Sequence, residues 1–279
     1  MILKSTEKNN LDFIKNFDLF YTARNTKNLS KLKKSFKNLK NKYLDQKDYF
    51  LIIEDFENNK IKLQKKIKLF EKFTTLLKQN EKGVKIVKVS PKKNLILKFK
   101  KYLKKNLRYH QTNLGGSIHS DGPQLITPPK YIIMACVEQA TSGGDSIIAY
   151  TNKIYRDLKK NNKKILKTLK EKIIFERRGF KKHSTFLKPI FIDKNNKLSF
   201  RYLKDYIDSG FKIKNIKKNK SQITALKKLD QMLAQKKYQK KYRLNGGDII
   251  LLNNKILAHG RTKFKISEDS NRTLLRAWI

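Results

Sequence analysis

The chain has 279 residues, 38% of them hydrophobic and including 16 Phe and 12 Tyr, which is enough apolar material for a substantial core. Its formal net charge of +44 would ordinarily point to nucleic acid or an anionic membrane surface. Of the 67 basic residues, however, 57 are Lys and ten are Arg, spread over nearly every segment among Asn and Ile, which reads as compositional drift rather than a phosphate-binding face rich in guanidinium groups. The single cysteine, Cys136, excludes an internal disulfide and a thiolate zinc cluster, and its apolar surroundings mark it as a buried thiol. The first residues lack the apolar run of a signal peptide, and no stretch of about 18 apolar residues occurs, so a soluble cytoplasmic protein with no membrane partner is expected.

In chain order, residues 1–48 repeat apolar and basic positions at helical spacing, as in Leu29, Leu32, Phe36, Leu39 and Tyr43, and predict amphipathic helices packed on a sheet. Tyr49 to Phe56 predicts a strand, Ile61 to Leu77 a helix, and Lys85 to Val89 a second short strand closed by Ser90-Pro91. A basic helix-like segment, Leu95 to Leu107, leads to Arg108-Tyr109-His110, where His110 is read as a neighbouring or surface residue rather than a ligand.

Gly116-Ser117-Ile118-His119-Ser120-Asp121-Gly122 is the most informative stretch. On a strand His119 and Asp121 project from one face and can reach one ion. A neutral imidazole with a carboxylate suits iron(II). The other histidines are His110, His183 and His259, and His259 has the most suggestive setting, Leu251 to Arg261. Two histidines and a carboxylate on one side of an ion make the facial triad of non-haem iron oxygenases, with positions left open for a co-substrate and dioxygen.

Beyond the motif, Pro123 and Thr127-Pro128-Pro129 predict loops, and residues 131–137 a buried strand. Thr141 to Ser146 is a glycine-containing turn feeding a strand, Ile147 to Tyr150. Residues 151–172 and 221–241 carry helical periodicity, whereas 175–180 and 198–202 look like strand edges or loops. These segments separate the two halves of the proposed site, so Arg178, Arg201 and His183 are candidates for substrate contact. From Gly246-Gly247 the pattern is β: Asp248 to Leu252, a turn at Asn253-Asn254, and Lys255 to His259 predict a hairpin, and Asn271 to Ile279 a last strand. On that strand Arg272, Leu274 and Arg276 share a face; two inward guanidinium groups require anions to meet them. Three of the ten arginines, Arg261, Arg272 and Arg276, fall in the last 19 residues.

His119-Ser120-Asp121, Gly143-Gly144-Asp145-Ser146, the run from Asn253-Asn254 to His259-Gly260-Arg261-Thr262-x-Phe264, and Arg272-x-x-x-Arg276 together resemble the taurine dioxygenase-like (TauD/TfdA) family of iron(II)- and 2-oxoglutarate-dependent dioxygenases, within the clavaminate synthase-like superfamily. The resemblance is clear over 108–150 and 244–279 and weak elsewhere. It implies an α+β fold with a double-stranded β-helix (jelly-roll) core, flanking helices and a helical insertion. The whole chain, 1–279, would be a single dioxygenase domain: N-terminal helices and strands over 1–107, the first half of the barrel over 108–150, the insertion over 151–243 and the closing barrel strands over 244–279.

By motif position the resemblance implies His119, Asp121 and His259 as catalytic iron ligands. Arg272 would pair with the far carboxylate of 2-oxoglutarate, assisted by the hydroxyl of Ser146 where relatives often carry Thr. Arg276 would meet an anionic group of the substrate or lie by the co-substrate. The implied reaction consumes 2-oxoglutarate and O2 and hydroxylates a small anionic or amino-acid-like molecule, releasing succinate and CO2; the retained carboxylate of Asp121 argues for oxygenation rather than halogenation. Two competing readings are a nucleic-acid-binding or nucleic-acid-modifying protein, prompted by the charge, and an inactive cupin-like binding protein. The residues between Arg272 and Arg276 differ from the nucleic-acid demethylase pattern, so nucleic acid is not expected as a partner.

Overall fold

The computed structural model describes residues 1–4, 6–46, 48–91, 111–178, 184–195, 197–266 and 272–279. The helix-like segment Leu95 to Leu107 and the histidines His110 and His183 lie outside them. The chain opens with a two-residue strand, β1 (Ile2–Leu3), where helices alone are expected from the sequence, then α1 (Asp12–Thr22) and α2 (Thr26–Leu39). β2 (Phe50–Ile53), α3 (Lys60–Phe73), β3 (Ile86–Val89), β4 (Gly116–His119), β5 (Tyr131–Glu138) and β6 (Ser146–Tyr150) follow. Next come α4 (Thr151–Asn161), α5 (Lys163–Lys170), the hairpins β7 (Ile173–Glu176) with β8 (Thr185–Lys188) and β9 (Phe191–Lys194) with β10 (Lys197–Phe200), then α6 (Lys204–Ile213) and α7 (Lys220–Ala234). β11 (Gln239–Tyr242), β12 (Ile249–Asn253), β13 (Leu257–Arg261) and β14 (Thr273–Trp278) complete the series.

Two sheets organise these elements. The larger runs β1-β2-β12-β5-β14-β3 and the smaller β11-β6-β13-β4. β5 is apolar at almost every position because both of its faces are covered. Ile133, Ala135 and Val137 face the helical layer together with Leu51, Ile53, Ile249, Leu251 and Ala277. The alternate residues, Ile132 and Cys136, join Phe50, Ile52, Ile250, Leu252, Leu274 and Trp278 in an inner core shared with Ile148, Tyr150 and Leu257 of the smaller sheet. The two sheets therefore face one another across that core.

The helical layer is held by Phe13, Phe17, Phe36, Phe70 and Phe73, with ring centroids 4.8–6.2 Å apart. Edge and tilted contacts of this kind add roughly 0.5–1.5 kcal/mol per pair beyond area burial. A third core, built from α4–α7 and the two hairpins, packs on the outer face of the smaller sheet through Ala149 and Ala258.

Residues 151–243 contain more β-structure than their lysine-rich pattern indicates. The helix expected over 221–241 stops at Ala234, and Gln239 to Tyr242 pairs with β6 as an edge strand. Its sequence, Gln-Lys-Lys-Tyr, has little strand propensity; lysines on an edge are what keeps such a strand from pairing further. The predicted helix over 151–172 is two helices broken at Asn162, and α6 has no counterpart in the sequence reading. Among the described residues no helix is long and apolar enough to cross a membrane.

Candidate active site

The antiparallel register of β13 against β4 pairs His259 directly with His119. Parity along β13 turns Leu257, His259 and Arg261 to the inner face, while Ala258 joins the outer core. Asp121 follows two residues after His119, so one sheet register brings both halves of the sequence motif together. The imidazole centroids are 4.7 Å apart, and Asp121 Oδ1 lies 3.6 Å from His119 Nε2 and 3.9 Å from His259 Nε2. One donor atom from each residue falls within 4.8 Å of the others. All three side chains are buried, at 8%, 4% and 6% exposure for His119, Asp121 and His259.

The donor set has the chemistry of a metal site. Burial, followed by the neighbouring His119, pushes the pKa of His259 down to about 3, so its imidazole is neutral at ordinary pH. Burial alone would raise the Asp121 carboxyl, but Arg276 and the contact with His119 hold it well below the usual carboxylate range. His119 Nδ1 lies 2.6 Å from the Ser117 carbonyl, which can only accept, so Nδ1 is the donor of that contact and Nε2 is the nitrogen turned toward Asp121. Ser117 sits beside a register irregularity in β4 at φ 42°. Two imidazoles and an ionised carboxylate converging in a buried site could hold a divalent ion.

Asp121 is clamped from several directions. Arg276 Nη1 donates to Oδ1 and Trp278 Nε1 to Oδ2, each at 2.9 Å. The Asp121 backbone N–H donates to Asn254 Oδ1 at 2.8 Å, and Asn254 Nδ2 donates back to the Asp121 carbonyl at 3.0 Å and to that of Pro129 at 2.9 Å. Gln79, in the loop after α3, accepts from Arg276 Nε at 2.9 Å and donates to the Arg276 carbonyl at 2.8 Å. Arg276 thus reaches the cavity already engaged by Asp121 and Gln79.

The same cavity extends to Ser146, Arg261 and Arg272. Ser146, first in β6, is paired in register with Arg261. Arg272 precedes a bulge in β14, yet it lines the cavity along with Leu274 and Arg276, as the predicted shared face requires. Its Nε donates to Gln139 Oε1 at 3.0 Å and to the Gly144 carbonyl at 3.2 Å. Arg261 donates to the Thr112 carbonyl, and both guanidinium groups lie over the Phe264 ring, at 5.2 and 5.7 Å.

Arg178, at the rim, pairs with Glu176 at 2.6 Å and lies over Tyr206. Arg201 takes a different position from the one expected: buried beside Phe186, it spends its donors on the carbonyls of Pro123, Leu125 and Ile126 and does not line the cavity. Burial pushes its pKa down to about 10.

The family model for the taurine catabolism dioxygenase TauD, TfdA family matches residues 28–278. The chain belongs to that family. FR-33289 synthase of Streptomyces rubellomurinus is 28% identical over 183 residues, 63% of this chain and 52% of that protein. Human gamma-butyrobetaine dioxygenase is 26% identical over 168 residues, 58% of this chain and 43% of the relative. These alignments span about half the length of the relatives. Among solved structures, asparagine oxygenase in complex with Fe(II), 3-hydroxyasparagine and succinate superposes with a TM-score of 0.71 at 10% identity, covering 100% of this chain and 93% of that one. The non-heme iron oxygenase OrfP in complex with Fe and alpha-ketoglutaric acid gives a TM-score of 0.66 at 10% identity, with 100% and 94% coverage. At that identity the likeness shows a shared fold. Sequence reasoning for this TauD, TfdA family member passed over Gln79, Gln124, Gln139 and Trp278. For Trp278 a signal existed, since it lies two residues beyond Arg276 on the same face; the glutamines have none.

Proposed function

We propose that the protein is an iron(II)- and 2-oxoglutarate-dependent dioxygenase that hydroxylates a small amino-acid-like or anionic substrate, converting 2-oxoglutarate and O2 into succinate and CO2. The observation that carries this reading is the buried His119–Asp121–His259 cluster opening onto a cavity that also holds Arg272 and Ser146. In this reading the two facing sheets are a double-stranded β-helix, and the whole chain works as one domain. His119, Asp121 and His259 would hold iron(II). When bound, the iron supplies the dioxygen chemistry that couples oxidative decarboxylation of the co-substrate to cleavage of a substrate C–H bond.

The chain's own residues bind, orient and exclude water. Arg272 is the proposed partner of the distal carboxylate of 2-oxoglutarate, because a dianion entering a dry pocket calls for a planar donor that stays charged. The hydroxyl of Ser146, which lines the same cavity, is the proposed additional hydrogen-bond donor there. Arg276 keeps Asp121 ionised and is the proposed contact for an anionic group near the iron site, with Arg178 as a second at the rim. Arg201 contributes by holding the 123–126 loop in place.

The test is anaerobic mixing of the protein with iron(II) and 2-oxoglutarate, followed by the metal-to-ligand charge-transfer absorption of the chelate. The band should form in the wild type and be lost in His259→Ala. Arg272→Ala should weaken 2-oxoglutarate binding by roughly 2–5 kcal/mol, much of it from a carboxylate left unpaired. A folded wild-type protein that forms no band would remove the chemical basis of the assignment, and an unchanged co-substrate affinity would remove the role of Arg272.

A further inference from the structure

Arg243 directly follows β11 and is one of ten arginines in a chain that otherwise takes its positive charge from 57 lysines. It lies at the surface, where a lysine would serve solubility equally well. Its guanidinium is nevertheless committed to one loop. Nη1 donates to the Gly143 carbonyl at 2.9 Å and to Asp145 Oδ1 at 3.3 Å, and Nη2 donates to the Ala140 carbonyl. Gathering separate acceptors in this way suits a planar fork of donors and does not suit an ammonium on a flexible stem.

The stretch that Arg243 gathers also carries the groups that hold Arg272. The Gln139 amide oxygen and the Gly144 carbonyl accept from Arg272 Nε at 3.0 and 3.2 Å. Leu244 completes the bracket, because its carbonyl accepts from Gln139 Nε2 at 2.7 Å. Consecutive residues, 243 and 244, thus steady both acceptors. From the opposite side the Gly144 N–H donates to the Lys263 carbonyl at 3.3 Å, and the Lys265 N–H donates to that of Ser142 at 3.1 Å. Since a guanidinium is planar, fixing Nε between two acceptors fixes the plane in which its terminal nitrogens can meet a carboxylate. The placement of Arg243 depends in turn on β11. Tyr242 pairs with Ser146, so the edge strand ends level with the start of β6, beside the turn that Arg243 holds.

We infer that Arg243 is a positioning residue for co-substrate binding, acting through the 140–145 loop to orient Arg272. The role rests on the dioxygenase reading above and adds to it a residue that does not line the cavity. It also gives the lysine-rich edge strand a task, which is to deliver this side chain to the loop. Because Arg243 touches neither the cavity nor the proposed iron ligands, its removal should alter how well Arg272 meets 2-oxoglutarate and leave metal binding intact.

The experiment is an anaerobic titration of the iron(II)-loaded protein with 2-oxoglutarate, following the charge-transfer band. The wild type is compared with Arg243→Met, Arg272→Lys and the double variant. Arg243→Met should weaken 2-oxoglutarate binding by about tenfold. Its cobalt(II) affinity, measured without co-substrate by competition against a coloured chelator, should stay within about twofold of the wild type. In the Arg272→Lys background a cation remains for the carboxylate, but no guanidinium plane is left to orient. There the loss of Arg243 should change the affinity by less than about twofold. A residue that merely stabilised the loop would cause the same loss in both backgrounds. Arg243→Lys keeps the charge without the fork and should recover little of the affinity; it replaces the methionine variant in the cycle should that variant not fold.

The inference is overturned if Arg243→Met binds 2-oxoglutarate as tightly as the wild type, if its loss persists undiminished beside Arg272→Lys, or if cobalt(II) affinity falls by the same factor. Full affinity in Arg243→Lys would also overturn it, by showing that charge alone suffices. Failure of the wild-type protein to form the band is a separate result. It removes the dioxygenase reading, and the positioning role with it.

Discussion

Asp121 meets any ligand with both carboxylate oxygens engaged, one by the Arg276 guanidinium and one by the Trp278 indole. This arrangement orients the carboxylate before an ion arrives, and groups that orient a ligand in this way typically matter about 10- to 100-fold in metal affinity. Trp278→Phe should weaken cobalt(II) or iron(II) binding by about that factor, measured by anaerobic competition against a coloured chelator. Unchanged affinity would reduce the indole to packing. Because Trp278 is the sole tryptophan, its emission in the wild type should also be quenched as cobalt(II) is added.

Cys136 offers an independent check at the same scale. It is fully buried between the sheets, and burial raises its pKa to about 12, so at pH 8 it is protonated as well as inaccessible. Intact-mass analysis after treatment with iodoacetamide at pH 8 should show no adduct on the native protein and a single adduct after denaturation. Rapid labelling of the native protein would contradict the packing of β5.

Among the elements, the pairing of β4 with β13 decides whether a site exists at all. A slip of one residue in β13 would turn His259 into the outer core and bring Ala258 inward. Asn254, in the turn before β13, works against such a slip by tying its side chain to the backbone of Asp121. The turn entering β6 plays the corresponding part for Arg272. Gly144 has φ +80°, and a methyl group there would sit 2.8 Å from Arg272 Nε and 2.9 Å from Gln139 Oε1.

Gly144→Ala should therefore cost roughly 1–2 kcal/mol from the left-handed backbone alone, read by chemical denaturation. It should also weaken 2-oxoglutarate binding by displacing the guanidinium, while iron(II) binding survives. Equal loss of iron and co-substrate would point to general unfolding of the turn.

At the scale of the whole molecule, +44 charges on 279 residues oppose the compact state through self-repulsion. Screening acts over roughly 10 Å at about 0.1 M salt. The thermal midpoint should rise by several degrees between about 10 mM and about 200 mM sodium chloride, followed by differential scanning fluorimetry. A falling midpoint would mean that surface ion pairs outweigh repulsion. The charge is the one feature that prompted a nucleic-acid reading, and no feature of the cavity adds to it: its arginines are occupied by Asp121, Gln79, Gln139, Gly144, Thr112 and Glu176.

The sequence by itself determined the candidate metal-binding cluster and much of its facing. His119 and Asp121 stand two apart, and Arg272, Leu274 and Arg276 line one cavity, as a period of two implies; but β4 ends at His119, and the hairpin expected around Asn253-Asn254 does not form, because β12 and β13 pair in different sheets. The continuous apolar run of β5 likewise announced a strand covered on both faces. Only the tertiary structure decided which partners those side chains meet. That Arg201 grips a loop instead of facing the cavity and that Gln79 and Trp278 brace Arg276 and Asp121 depend on contacts between residues far apart in the chain. No local pattern encodes such contacts. The lysine-rich region between the two halves of the site was the least legible for a related reason: solvated lysines suit helices and edge strands alike, so their spacing carries little information about either.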